Sequence, residues 1–179
     1  MEQKATNMSK KNIVLIGMPG VGKSTVGVIL AKVIGYQFLD ADLVIQEKEG
    51  KLLRDIIAKV GPEGFIEVEN RINASIEANH TIIATGGSVV YGKEAMEHLS
   101  SIGYVVYLKV PYETLEKRLE DIKGRGVVLK DGQNLHDLFM ERTPLYEKYA
   151  DITVSEDGLS IEETVDALIE ALSKVSSCE

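Results

Sequence analysis

Short apolar runs recur along the chain and alternate with longer segments of helical periodicity. The runs are rich in β-branched residues and do not alternate apolar with polar positions, which is typical of strands buried on both faces of a parallel sheet. The five predicted strands are Asn12–Gly17, Gln37–Asp40, Thr81–Thr85, Tyr104–Val110 and Asp151–Ser155.

Between these runs, apolar residues recur at the spacing of one helix face. The last segment places Ile161, Val165 and Leu168 on one face, and Ser160 with Glu163 forms a capping box at its start. The predicted helices are Lys23–Ile34, Leu43–Glu49, Leu52–Lys59, Glu63–Ala78, Lys93–Ser100, Tyr112–Ile122, Asn134–Tyr149 and Ile161–Val175. This alternation predicts a three-layer α/β/α domain around a parallel five-stranded sheet, with ligands at the carboxyl ends of the strands.

The connection between the first predicted strand and the first predicted helix reads Gly-Met-Pro-Gly-Val-Gly-Lys-Ser at residues 17–24. Glycines allow backbone N–H groups to turn inward around phosphate oxygens, and the following helix N-terminus favours negative charge. Lys23 has the length to reach terminal phosphates, and the Ser24 hydroxyl is a ligand for Mg²⁺. The segment therefore predicts a P-loop that binds a nucleoside triphosphate.

The composition limits the classes of protein that fit this pattern. The chain has 179 residues, of which 44% are hydrophobic, and this length suits one domain with its own core. A net charge of −8 argues against non-specific binding to nucleic acid or to an anionic membrane. The single cysteine, Cys178, leaves no disulfide framework. We expect a flexible leader over residues 1–11, a single domain over residues 12–179 and a cytoplasmic location.

Polar and glycine residues follow the second and third predicted strands. Asp40 and Asp42 can flank the phosphate site, one toward Mg²⁺ and one toward an acceptor, although Asp42 is also a good helix N-cap. The run Thr85-Gly86-Gly87-Ser88 permits close approach of the backbone to a ligand, and it equally fits a plain turn.

Three arginines lie in the second half of the chain. Arg118 is on a predicted helix, and Arg125 lies in a Gly-flanked polar segment that fits a mobile lid over about residues 123–133. A solvated charged loop is the alternative for this segment. Arg142 precedes Thr143-Pro144-Leu145-Tyr146 and can fork onto a carboxylate or pair locally.

Taken together from about Asn12 to Val154, these motifs resemble the shikimate kinase family. The resemblance rests on the P-loop, on the run Phe38-Leu39-Asp40-Ala41-Asp42, on the glycine run, and on the spacing of Arg118, Arg125 and Arg142. It extends to Gly61, Phe65 and Glu69, which match the family's Gly-Glu-x-x-Phe-Arg-x-x-Glu region. The P-loop alone is shared by many phosphotransferases, whereas the collinear set is specific.

The resemblance implies a role for each matching residue. It implies catalytic roles for Lys23, Asp42 and Arg125. It implies nucleotide binding by Gly20, Val21, Gly22, Lys23, Ser24, Thr25, Arg118 and Arg125. It implies acceptor binding by Asp42, Glu69, Gly86, Gly87 and Arg142, and Mg²⁺ binding by Ser24 and Asp40.

The implied function is an ATP- and Mg²⁺-dependent kinase that phosphorylates a hydroxyl of a small cyclic polyol acid. The expected reaction converts shikimate to 3-phosphoshikimate, a step toward aromatic amino acids. We expect a monomer that binds ATP and a small acceptor, with no nucleic-acid or membrane partner.

Three positions depart from the family pattern. The family's substrate arginine after the phenylalanine is Ile66, the third glycine of the glycine run is Ser88, and the lid continues Arg125-Gly126-Val127-Val128 and is a few residues short. These changes leave two alternatives open. One is a kinase for another polyol or cyclitol, and the other is a nucleotide-binding regulatory protein without turnover.

Overall fold

Five strands form one parallel sheet at the centre of the structure, a computed structural model that describes residues 12–120 and 130–176. The strands are β1 (Asn12–Ile16), β2 (Gln37–Asp40), β3 (Thr81–Ala84), β4 (Gly103–Lys109) and β5 (Ile152–Ser155). They lie in the order β2-β3-β1-β4-β5, and every neighbouring pair is parallel. The predicted parallel five-stranded sheet is confirmed, and each predicted strand is found within one residue of its expected ends.

Helices cover both faces of this sheet and complete the predicted three layers. In the described residues they are α1 (Lys23–Ile34), α2 (Ala41–Glu49), α3 (Leu53–Asn73), α4 (Lys93–Ile102), α5 (Tyr112–Glu120), α6 (Leu135–Tyr149) and α7 (Ile161–Ser176). Helices α1 and α7 pack against each other, as do α3 and α4, while α4 and α6 contact β4. All five residues of β1 are buried between the layers.

Helix α3 is interrupted at the place where the sequence predicts a gap between two helices. It runs from Leu53 to Asn73, but Gly61 has φ 75° and ψ 174° and interrupts the helical backbone before Pro62. The two predicted segments are therefore the two arms of one kinked element. The second arm ends at Asn73 instead of Ala78. A short 3₁₀ helix at Val89–Tyr91 was not expected from the sequence.

Side-chain caps fix the starts of two helices. The Asp40 carboxylate accepts a hydrogen bond from Asp42 N at 3.0 Å, so Asp40 is the N-cap of α2. The alternative that Asp42 caps this helix is wrong, because Asp42 lies inside the first turn. The capping box before α7 is confirmed: Glu163 N donates to Ser160 Oγ at 3.2 Å, and Ser160 N donates to Glu163 Oε2 at 2.7 Å.

The register of β1, β2 and β3 brings their carboxyl ends to one edge of the sheet. Ala84 pairs with both Leu15 and Asp40 across the ladder. Beyond the strand end, Leu15 O accepts hydrogen bonds from Thr85 N at 3.2 Å and from Thr85 Oγ1 at 2.9 Å. The chain segments that follow β1, β2 and β3 therefore leave the sheet side by side.

The expected leader at residues 1–11, Arg125 and most of the expected lid lie outside the described residues. The part of the chain that the structure describes contains no helix both long enough and apolar enough to span a membrane.

The burial of β1 generates a first prediction. Leu15 is fully buried in the core, and its replacement by alanine removes packing there. We expect Leu15→Ala to lower the free energy of unfolding by about 2–5 kcal/mol. Urea denaturation followed by circular dichroism measures this loss. Val33→Ala is the matched control, since Val33 is 59% exposed, and it should change stability by less than about 0.5 kcal/mol. Equal effects of the two substitutions would contradict this account of the core.

Candidate active site

A cavity of about 490 Å³ opens at the edge where β1, β2 and β3 end. Its lining comes from the β1–α1 connection, the start of α2, helix α3, the connection after β3, and α6. Eleven of the residues implied above line it: Gly20, Gly22, Lys23, Ser24, Thr25, Asp40, Asp42, Glu69, Gly86, Gly87 and Arg142. The fold thus brings together residues that are far apart along the chain.

The P-loop forms one wall of this cavity. Gly22 is the N-cap of α1 with φ 94°, a left-handed conformation that a side chain would strain. Lys23 is 7% exposed, and its Nζ donates to Gly17 O at 2.7 Å and to Met18 O at 2.9 Å. Burial lowers the pKa of the Lys23 ammonium to about 8, against the opposing charge of Asp42. The lysine is therefore held against the carbonyl oxygens of its own loop.

Ser24 and Asp40 meet beside the P-loop. Ser24 Oγ donates to Asp40 Oδ2 at 2.7 Å, while the other carboxylate oxygen caps α2. Hydroxyl and carboxylate oxygens are the ligands that Mg²⁺ prefers, so this pair fits the cation. Among the described residues, no group of three or more His, Cys, Asp or Glu side chains could hold a metal ion by itself. A cation at this pair would therefore need further oxygens from a bound ligand or water.

Two carboxylates converge on the glycine run after β3. A Cβ atom built on Gly86 would lie 2.5 Å from Glu69 Oε1 and 3.1 Å from Asp42 Oδ1, so only glycine fits there. Burial raises the pKa of Asp42, and the neighbouring charge of Asp40 raises it further. Burial also raises the pKa of Glu69 to about 7, although the hydrogen bond that Ser88 Oγ donates to Glu69 Oε2 opposes this shift.

Arg142 lies behind the glycine run and is almost completely buried. Its Nε donates to the Tyr91 hydroxyl at 3.3 Å, and its guanidinium carbon lies 5.3 Å from the centre of the Tyr91 ring. Tyr146 Oη donates to Gly87 O at 2.6 Å and ties α6 to the same run. The 3₁₀ helix and α6 thus hold the positively charged Arg142 guanidinium in the same cavity as the Asp42 and Glu69 carboxylates.

A second cavity of about 400 Å³ shares Gly20, Gly22 and Thr25 with the first. Arg118 lines it, and Arg118 Nη1 donates to Val21 O at 3.2 Å and to Glu156 Oε2 at 3.1 Å. Glu156 is 2% exposed, and burial raises the pKa of its carboxyl group. This ion pair joins α5, the P-loop and the segment after β5.

Three polar residues in or beside the two cavities were not anticipated from the sequence. Glu156 and Arg54 line a cavity each, and Tyr91 supports Arg142. Glu156 directly follows β5, and this position at the carboxyl end of a strand is the sequence feature that could have marked it as a candidate site residue. Ile66, where the family has an arginine, is half-buried and is not among the lining residues. The apolar wall of the first cavity is made by Leu53, Ile57 and Phe65.

Comparison with known proteins identifies one family. The family model described as shikimate kinase matches residues 19–173. The shikimate kinase of Thermodesulfovibrio yellowstonii is 34% identical over 93% of this chain and 98% of its own length. That of Actinobacillus succinogenes is 38% identical over 91% of this chain and 95% of its own length.

Solved structures agree with the sequence comparisons. The shikimate kinase from Acinetobacter baumannii in complex with shikimate has a TM-score of 0.82 and 31% identity, covering 93% of this chain and 94% of that one. The shikimate kinase from Aquifex aeolicus has a TM-score of 0.73 and 30% identity, covering 92% of this chain and 98% of that one.

The raised pKa of Glu69 generates a second prediction. Because the folded protein binds this proton more tightly than the unfolded chain, stability from Glu69 is present below pH 4.5 and is lost as the pH rises through about 7. In the unsubstituted protein, the free energy of unfolding should therefore fall by on the order of 3 kcal/mol between pH 4.5 and about 7. We expect this fall to be absent from the Glu69→Gln variant. Urea unfolding at several pH values measures it.

The control for this prediction is Glu67→Gln, which changes an exposed carboxylate on the same helix. This variant should keep the pH profile of the unsubstituted protein. A Glu69→Gln profile parallel to the unsubstituted one between pH 4.5 and 7 would contradict the assignment.

Proposed function

The chain belongs to the shikimate kinase family, and we propose that it transfers the γ-phosphoryl group of ATP to a hydroxyl of shikimate, giving 3-phosphoshikimate. The observation that carries this proposal is the convergence of Lys23, Asp42 and Arg142 on one cavity. A phosphate-binding cation, a candidate base and a carboxylate-binding cation are the three groups that such a transfer requires. Each comes from a different helix at the same sheet edge.

The P-loop would bind the triphosphate, with Gly20, Val21, Gly22 and Thr25 contributing backbone and side-chain contacts. Lys23 already donates to two carbonyl oxygens of its own loop, so phosphate oxygens would replace those acceptors without moving the lysine far. Positioning and charge neutralisation account for most of catalysis in phosphoryl transfer. Lys23 supplies one positive charge for this purpose.

Mg²⁺ would be held at Ser24 and Asp40, whose oxygens lie together beside the P-loop. When bound, the cation neutralises charge on the phosphate oxygens. Ser24 would contribute its hydroxyl oxygen and Asp40 its carboxylate to holding the cation.

Asp42 would orient the acceptor hydroxyl and accept its proton. Its position next to Gly86 opens its carboxylate to the cavity, because no side chain intervenes. Its raised pKa brings the carboxyl group closer to the value that suits proton transfer near neutral pH. Glu69, Gly86 and Gly87 would form the rest of the acceptor site, and Arg142 would bind the acceptor's carboxylate.

The second cavity would take the nucleotide base. Its apolar lining includes Val26, Leu159 and Ile161, which suit the face of a purine. The Arg118 guanidinium, held by Val21 O and Glu156, forms the polar side. Arg125 is outside the described residues, and its role as a lid arginine stays a prediction, as do a monomeric state and a cytoplasmic location.

The experiment that tests this function measures ADP formation from Mg²⁺·ATP with and without shikimate and identifies the product by phosphorus NMR. We expect turnover that depends on shikimate and stops when EDTA removes the metal. Phosphorylation of another cyclitol but not of shikimate would contradict the acceptor. Nucleotide binding without turnover of any acceptor would favour a regulatory protein.

The proposed base generates a third prediction. Asp42→Asn keeps the shape of the side chain but removes the carboxylate that accepts the proton. We expect kcat to fall about 10²–10⁴-fold, while the KM for ATP changes little because Asp42 does not line the second cavity, where we propose that the nucleotide base binds. Steady-state kinetics measures both quantities. Asp166→Asn, an exposed change on α7, is the control and should keep full activity. Wild-type kcat in a folded Asp42→Asn protein would overturn this role.

The second cavity generates a fourth prediction. Arg118→Ala removes a cation from the proposed base site, so the KM for ATP should rise about tenfold while the KM for shikimate stays constant. Lys117→Ala, which removes the same charge from the exposed side of α5, should leave both constants unchanged. Thermal unfolding checks that the protein remains folded when Glu156 loses its ion-pair partner Arg118. A larger change in the KM for shikimate than for ATP would contradict this assignment.

A further inference from the structure

Three cationic side chains line the first cavity among the described residues: Lys23, Arg54 and Arg142. Two of them are already engaged, Lys23 with its own loop and Arg142 behind the glycine run with Tyr91. Arg54 is in the first turn of α3 and was not anticipated from the sequence. None of the proposed catalytic, metal-binding or substrate-binding roles involves Arg54.

The Arg54 side chain is exposed and only weakly held by its neighbours. It is 79% exposed, and its contact with Asp55 is an ion pair of 3.6 Å between Nε and Oδ1. That distance exceeds the 2.7–2.9 Å typical of a charge-assisted hydrogen bond, and exposed ion pairs contribute little to stability. Turning the guanidinium toward the cavity therefore costs little.

The charges around the cavity explain why a further cation is useful. Asp40, Asp42 and Glu69 line the same space, and their carboxylates disfavour an anionic acceptor. Arg142 supplies one guanidinium at the buried end. A carboxylate has two oxygens and about four acceptor positions, so a second guanidinium can share it with the first.

The neighbours of Arg54 place it on the correct wall. Leu53 and Ile57, on either side of it along α3, both line the cavity, as does Phe65 after the kink at Gly61. These apolar side chains suit the carbon ring of an acceptor, and Arg54 adds the only charged tip among the lining residues of that helix's first arm. Ile66 offers no charge and does not line the cavity.

We propose that Arg54 determines acceptor specificity by donating to the acceptor's carboxylate from the open side of the cavity while Arg142 donates from the buried side. This inference rests on the proposed function, because it takes shikimate as the acceptor. It assigns the second carboxylate contact to the first turn of α3.

The test compares Arg54→Ala, Arg54→Lys and unsubstituted protein with shikimate varied at saturating Mg²⁺·ATP. We expect Arg54→Ala to raise the KM for shikimate about ten- to a hundredfold with kcat nearly unchanged. Arg54→Lys should recover part of the loss, since it keeps the charge but not the fork. Arg71→Ala is the matched control. Arg71 is an exposed arginine on the same helix, and its ion pair is with Glu49.

A second acceptor makes the test specific. An analogue of shikimate with a carboxamide in place of the carboxylate should bind the unsubstituted protein more weakly, and Arg54→Ala should weaken it little further. Equal effects of Arg54→Ala on shikimate and on the analogue would overturn the inference.

The outcomes separate this inference from the proposed function. Efficient use of shikimate with no effect of Arg54→Ala beyond that of Arg71→Ala would overturn the inference alone. Absence of both binding and turnover of shikimate by the unsubstituted protein would overturn the proposed function and this inference together.

Discussion

Two hydrogen bonds to one carbonyl oxygen hold the site together. Thr85 N and Thr85 Oγ1 both donate to Leu15 O just beyond the paired part of β1 and β3. The P-loop begins two residues after Leu15, and the glycine run begins one residue after Thr85. The P-loop and the glycine run, which we propose bind the phosphates and the acceptor, are therefore positioned by the same oxygen. The buried sheet supplies the rigidity that alignment of two substrates requires.

The site carries more buried charge than folding alone would favour. Lys23, Asp42, Glu69 and Arg142 influence one another's ionisation, and burial shifts the pKa of the first three toward the neutral form. Glu69 Oε1 has no hydrogen-bond partner among the described residues, and its other oxygen depends on Ser88. Such groups cost stability, and a polar ligand that pairs with them recovers part of that cost. Packing of the hydrophobic core around β1 offsets the destabilising effect of these buried polar groups.

The sequence predicted what depends on local order, and it missed what depends on contacts between distant elements. Strand positions followed from unalternating apolar runs, and the α7 capping box followed from residues three apart. The kink at Gly61 was visible only as a gap between two helices, because the sequence does not say whether the arms continue as one element. Arg54 and Glu156 were missed for a related reason: their roles depend on which cavity the folded chain places beside them.

The two cavities have different relations to the family pattern. The proposed nucleotide side keeps the P-loop and Arg118, and Glu156 fixes that arginine through a partly buried ion pair. The first cavity, where we propose that the acceptor binds, keeps Asp42 and Arg142 and has Ser88 where the family pattern has glycine, while Ile66, at the position of the family's arginine, does not line it. Ser88 hydrogen-bonds Glu69, so this departure changes how a cavity carboxylate is held. Under the proposed roles, phosphoryl transfer depends on the side that matches the family pattern and acceptor choice on the side that departs from it, so specificity can change here without loss of the chemistry.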